Sequence, residues 1–314
     1  MHVYTAAVYT NSYMRGQNRY VKLNDREREI VHGLPHILES WHYVSKQKFV
    51  DDMRREGAKV FLDSGAFSAF TLGVTLSVPE YCDYIKRNAD IIRVEGNALM
   101  ASVLDGIGDA YQTYCNQEYM ESLGVCPLPC FHFNEDTRYL EHYVKNYEYI
   151  TLGGMVGATT EQLRAWLEKI WDGWLLDGSG RAKIKVHGFG ITAIPLMQEF
   201  DWYSCDSSSW IQSAAFGSIV HPKYGPISVS GKSPSRHDFG QHLSTLTEIE
   251  KAHLCEDLAS TGFEEQRLAE VYESRAAYNL WAFGQINEQM NAQRVDNYRA
   301  GKRQDLFGNQ LSWQ

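Results

Sequence analysis

Short apolar runs recur along the first two-thirds of this chain. Each breaks on glycine or a polar residue before an amphipathic stretch begins. "HVYTAAVY" opens the series at His2. "KVFLDSG" at Lys59, "SVLDGIG" at Ser102, "CPLPCFHF" at Cys126, "YITLGG" at Tyr149, "KIKVHGFG" at Lys183 and "WYSCDSS" at Trp202 continue it. The stretches between them read as helices. One lies around Ser45 to Glu56. Another, "TTEQLRAWLEKIWDGWL", opens on a Thr cap with Glu161 and Gln162 in its first turn. Strand and helix signals in strict alternation dictate parallel βαβ units. So many repeats predict an α/β fold of the (β/α)8 TIM-barrel type, with an open doubly wound sheet as the alternative. After about residue 245 the rhythm stops, and "LTEIEKAHLCEDLAS" and "EQRLAEVYESRAAYNLWAFGQINEQMNAQRVDNYR" are helical throughout. The expected division is therefore a catalytic barrel over 1–245 and a C-terminal helical cap over 246–314. Residues 211–240, rich in Gly, Ser and Pro, are expected to form a long loop.

A length of 314 residues suits one large barrel with an appendage. Net charge is −9. That excludes a broadly basic nucleic-acid coat protein but leaves room for a local basic groove. The six cysteines contain no CxxC pair, which points to a reduced cytosolic setting. "MHVYTAAVYT" lacks the positive and long apolar regions of a signal peptide. No apolar run approaches the roughly 20 residues of a membrane span. A soluble, cytoplasmic protein with no membrane partner is expected.

Barrel active sites lie at the C-terminal ends of the strands. The polar residues that follow the apolar runs are Asp63 and Ser64, Asp105, His132, Gly153 and Gly154, His187, and Asp206 with Ser207 and Ser208. Each has a plain structural alternative. A lone Asp after a strand is commonly an N-cap, His132 in "FHF" could be a hydrogen-bonded core histidine, and "GGMVG" could be a tight turn. Three aspartates facing one mouth would raise each other's pKa. Two carboxylates across a mouth suit displacement at a sugar carbon, one attacking and the other moving the proton. From the residues alone this leaves retaining glycosyl transfer or hydrolysis.

"FLDSGAFSAF" resembles the "DSGGF" strand end of the tRNA-guanine transglycosylases. "TLGGMVG" is similar to their "GGLAVG" loop, "KVHGFGIT" to their "MGVG" strand end, and "YSCDSSSW" to the segment of their nucleophilic aspartate. All four stand in the family's order, over roughly residues 60–210. The pattern is nearest to a phage and bacterial branch that exchanges guanine in DNA for a 7-deazaguanine such as 7-cyano-7-deazaguanine.

The resemblance implies roles. Asp206 would attack the sugar and Asp63 would be the general acid/base. Ser64 would bind the base, Phe67 would cover one purine face and His187 the other, next to Gly188. Asp105 would accept from the guanine N–H edge. Gly153, Gly154 and Met155 would offer backbone groups, and His132 would contact the base. The implied substrate is an unstacked guanine in DNA. The family's zinc-binding cysteine cluster is missing near the C-terminus, where only Cys255 stands, so no cofactor and no metal site are expected. The family's "PTR" segment after the nucleophile is replaced by Ser207-Ser208-Ser209-Trp210, and Ala158 stands in place of a glutamate. Losing these tRNA-associated features favours DNA. A tRNA-guanine transglycosylase variant, a retaining glycoside hydrolase and a non-catalytic nucleic-acid-binding subunit are the alternatives. Oligomeric state is not legible. A basic strip from Arg15, Arg19 and Lys22 with Lys223, Lys232 and Arg236 is expected to contact phosphates.

Overall fold

The computed structural model describes residues 1–10, 15 and 17–300. Its strands are β1 (His2–Ala6), β2 (Ile37–Ser40), β3 (Val60–Asp63), β4 (Val94–Glu95), β5 (Ala98–Leu99), β6 (Cys130–His132), β7 (Tyr149–Gly153), β8 (Lys185–Gly188), β9 (Ser204–Ser207), β10 (Ser218–His221) and β11 (Gly225–Ser228). Seven of them form one sheet in the order β3-β2-β1-β9-β8-β7-β6. Every pairing in it is parallel. Helices cross between successive strands. The helix Gln47–Arg55 turns Val50 and Met53 inward, and Thr160–Ile170 starts in a capping box between Thr159 and Gln162.

The sheet is strongly curled. Tyr4, Leu38, Phe61, Met100, Leu128 and Tyr149 belong to one inner cluster, although they come from the middle and both edges of the strand order. The remaining core lies outside, between the strands and their helices. A (β/α)8 barrel is expected from the rhythm, but among the described residues seven strands join this sheet and regular pairing does not close it into a barrel. Between the edges β3 and β6 the chain pairs at single positions, Leu62 with Ala101 and Ser102 with Leu128. The bonds there are Leu62 N–H to Met100 O (2.8 Å), Ser102 N–H to Leu62 O (2.9 Å), Leu128 N–H to Ala101 O (2.8 Å) and Val103 N–H to Leu128 O (3.0 Å). The β4–β5 hairpin immediately before this segment consumes the residues that would extend it.

Two further expectations are corrected. Residues 211–240 are not one loop, because they include the antiparallel β10–β11 hairpin. The N-terminal half of the basic strip is used internally. Arg15 is buried, giving its guanidinium to the Val31 carbonyl, the Tyr9 hydroxyl and Glu56. Arg19 and Lys22 both pair with Glu273 at 3.1 Å. Each cation meets an acceptor brought close by folding, a contact that sequence spacing does not reveal. Lys223, Lys232 and Arg236 are exposed.

From Glu248 the chain is helical: Glu248–Ser260, Glu265–Glu270 and Tyr272–Ala300. The last helix packs on β1, on β10 and on the helices Asp25–His32 and Ser209–Ala215. Asn279 donates to the carbonyls of Trp210 and Ser218, and Arg275 to that of Ala214. Residues 301–314 of the expected cap lie outside the described residues. No helix among the described residues is long and apolar enough to cross a membrane.

Candidate active site

The parallel strands bring their C-terminal ends to one face, and three aspartates collect there. Asp63 ends β3. Its Oδ2 accepts from Ser40 Oγ at 2.7 Å and from Gly65 N–H at 3.0 Å, and Ser102 Oγ lies 3.4 Å from Oδ1. Ser40 is the residue of β2 in register with Asp63. Burial pushes the Asp63 carboxyl up to about 6, the Ser40 bond pulls the other way, and the charges of Asp105 and Asp206 add to the rise.

None of the three aspartates is the N-cap of the helix that follows. Those caps are Gly65, Asp109 and Ser208. Gly65 has φ +75°, and a Cβ there would stand 2.6 Å from His42 Cβ. Strain and overlap together lead us to expect that Gly65→Ala destabilises the fold by about 2–4 kcal/mol and moves the amide that holds Asp63. Urea denaturation checks this. A midpoint like that of the wild type would show that the turn tolerates a side chain.

Asp206 lies in β9 and is buried. Its Oδ1 accepts from Gly190 N–H at 2.8 Å, and His187 Nε2 is 3.4 Å away. His187 is fully enclosed by the rings of Tyr4, Phe61 and Phe189, with Nδ1 on Ser204 Oγ at 2.6 Å. Burial lowers its pKa against the pull of Asp206. This corrects the expected role of His187 as a purine cover. Strand alternation turns the ring into the filled interior. The neighbouring Phe189, packed on His187 and Phe61, is only partly buried.

Asp105 follows the bridging segment, and its Oδ1 is buried without a hydrogen-bond partner. His132 Nε2 lies 3.4 Å from that oxygen. On its other side, Nδ1 meets Glu135 Oε1 at 2.8 Å, and the His132 amide donates to Glu135 Oε2 at 2.9 Å. Burial lowers the His132 pKa, but the Cys130 sulfur and Asp105 raise it by more. Burial also pushes the Cys130 thiol up to about 11.

The other expected residues divide between access and support. Phe67 is 53% exposed on the helix Ala66–Thr71. Gly154, at φ +69°, is exposed and offers its backbone. Ser64 is fully buried and its hydroxyl accepts from Ala66 N–H, so it supports the turn. Met155 is buried. At Gly188 an added Cβ would come within 2.7 Å of Ile191 and 2.9 Å of Trp202. Gly153 faces His132 in register. Ser40, Ser102, Cys130, Glu135 and Phe189 were not among the expected site residues. The i, i+2 spacing of Cys130 and His132 on one strand was the available signal for Cys130.

Comparison with the models of known protein families gives no match, and comparison with curated proteins gives none either.

Proposed function

We propose that the chain is a DNA-guanine transglycosylase, exchanging guanine for a 7-deazaguanine through a covalent Asp206–deoxyribose intermediate. The observation that carries this reading is the pair of carboxylates Asp63 and Asp206 at the same end of the sheet, in unlike surroundings. Asp63 is half-buried, held by two hydroxyls and an amide, with its carboxyl pushed up to about 6. Asp206 receives a backbone amide. Unequal carboxylates are what separates an acid/base from a nucleophile. The reading takes the fold as a (β/α)8 barrel, with the segment around 100–103 as its eighth strand.

In this mechanism Asp206 attacks C1′ of the target nucleoside as Asp63 protonates the departing guanine. The C1′–N bond breaks and a C1′–O bond forms. The incoming base then gives its proton to Asp63 and displaces Asp206, restoring both groups. Phe67 and Phe189 would flank an extruded base, with Asp105 on its N–H edge. The exposed Lys223, Lys232 and Arg236 are the remaining candidates for phosphate contact. Loss of the tRNA-associated residues favours DNA over tRNA.

The test incubates the protein with guanine-containing DNA or with tRNA, each with 7-cyano-7-deazaguanine, followed by digestion and mass spectrometry of the nucleosides. A modified deoxynucleoside is expected. A modified ribonucleoside from tRNA alone would replace DNA as the substrate, and release of guanine without exchange, leaving an abasic site, would make the enzyme a hydrolase.

The state of Asp63 gives a pH signature. Guanine departure needs its carboxyl protonated, so single-turnover release should fall about tenfold per pH unit above 6. A raised carboxyl pKa also means that the folded chain binds the proton more tightly than the unfolded one. Its contribution to stability therefore declines as pH rises from 3.8 to about 6. Release that stays level between about pH 5 and 8 would remove Asp63 from the acid role.

A further inference from the structure

We propose that Asp105, Cys130 and His132 form a binding site for a zinc-type divalent cation beside the two catalytic carboxylates. A carboxylate oxygen, Sγ and a ring nitrogen of these residues all lie within 4.8 Å of one another. Cys130 and His132 are two apart on β6, so strand alternation turns both to the same face. Asp105 approaches from the neighbouring bridging segment.

The contact between Asp105 and His132 decides between a proton and a metal. Glu135 Oε1 holds Nδ1 at 2.8 Å, which turns Nε2 toward Asp105 Oδ1. A metal ion between them would satisfy both atoms. A shared proton would draw the atoms to about 2.7–2.9 Å. They stand 3.4 Å apart, and Oδ1 has no hydrogen-bond partner. With metal–ligand bonds of about 2.0–2.2 Å, the edge of a tetrahedral zinc site is roughly 3.3–3.6 Å. Mixed imidazole, thiolate and carboxylate donors suit zinc rather than calcium or magnesium.

The surroundings are those of a built site. Glu135 grips both the ring and the backbone amide of His132, as a carboxylate behind a metal-bound histidine does. Gly153 lies opposite, where a Cβ would stand 3.0 Å from Cys130 Sγ and 3.7 Å from His132 Nε2. Glycine there keeps the space beside these two donors clear. Only three protein ligands gather among the described residues. A fourth position is thereby left for water or a substrate oxygen. An ion on Oδ1 leaves Oδ2 of Asp105 as the acceptor for a base.

The test measures metal, so its result is independent of base exchange. Protein stripped with a chelator is titrated calorimetrically with Zn²⁺ and separately loaded with Co²⁺. Stoichiometric zinc binding is expected, with a thiolate-to-cobalt charge-transfer band in the near ultraviolet. Cys130→Ser should abolish the band and His132→Gln the tight binding. Glu135→Gln should weaken affinity by about 10–100-fold. Asp105→Asn, at a less buried position, serves if Cys130→Ser fails to fold, and should weaken binding at least about tenfold. Absence of zinc binding by the wild-type chain would overturn the proposal. So would a cobalt band that survives replacement of Cys130, which would place the metal on one of the other five cysteines.

Discussion

Asp206→Asn should stop base exchange, by about 10⁴-fold or more, while leaving the fold and DNA binding in place. Asparagine retains Oδ1, so the bond from the Gly190 amide at 2.8 Å survives the change. What disappears is the anionic oxygen that attacks C1′. Without it no glycosyl-enzyme forms, and removal of a nucleophile typically costs four to six orders of magnitude. Two measurements check this. Exchange is followed by nucleoside mass spectrometry, and the covalent intermediate by a shifted protein band on a denaturing gel after incubation with DNA. Both should vanish together, while DNA retention on a filter stays unchanged. Exchange within tenfold of the wild type would remove Asp206 as the nucleophile. A lost band with undiminished guanine release would instead point to direct attack by water. Asp63→Asn serves as the partner experiment. It keeps an acceptor for Ser40 and Gly65 but cannot move a proton, so the pH limb above 6 should go with the activity.

The strand ends were legible because they follow a rule with few exceptions. An apolar run that stops on an acid, in a chain alternating strand and helix, places that acid at the mouth. Asp63, Asp105 and Asp206 all lie there. What escaped was lateral information. Nothing near Asp63 in sequence names Ser40 or Ser102, since register between parallel strands pairs residues separated by long crossovers. Arg15 looked like a free surface cation because its partners, Val31 and Glu56, come from other elements. His187 looked available because strand period gives a face but does not say which face is already filled. The metal-type cluster was missed for a related reason. Cysteine was judged by spacing along the chain, whereas Cys130 gains its neighbour Asp105 across the gap between strands. The missing regular eighth strand has the same origin, because pairing at single positions leaves no periodic trace.

Glu39→Gln should make the protein's stability far less sensitive to pH, and the effect should be large. Glu39 lies in β2, fully buried, and burial pushes its carboxyl up to about 8. Its Oε1 accepts from the Tyr9 amide at 2.7 Å, while Oε2 has no hydrogen-bond partner. In the unfolded chain the same group ionises near 4.5. The folded state therefore holds the proton more tightly, and stability falls as pH rises between 4.5 and about 8. At pH 7 the difference amounts to roughly 3 kcal/mol, or several degrees in melting temperature. Glutamine keeps an oxygen for Tyr9 and never ionises. The variant should melt close to the wild type near pH 5 and increasingly above it toward pH 8, as scanning calorimetry would record. A constant offset across that range would mean that Glu39 stays ionised in the fold. The consequence reaches the site, because the next residue is Ser40, whose hydroxyl holds Asp63. Charging Glu39 would destabilise the fold at the strand that carries this hydroxyl. Alkaline loss of exchange should then have two separable parts, one removed by Glu39→Gln and one that persists as the titration of Asp63.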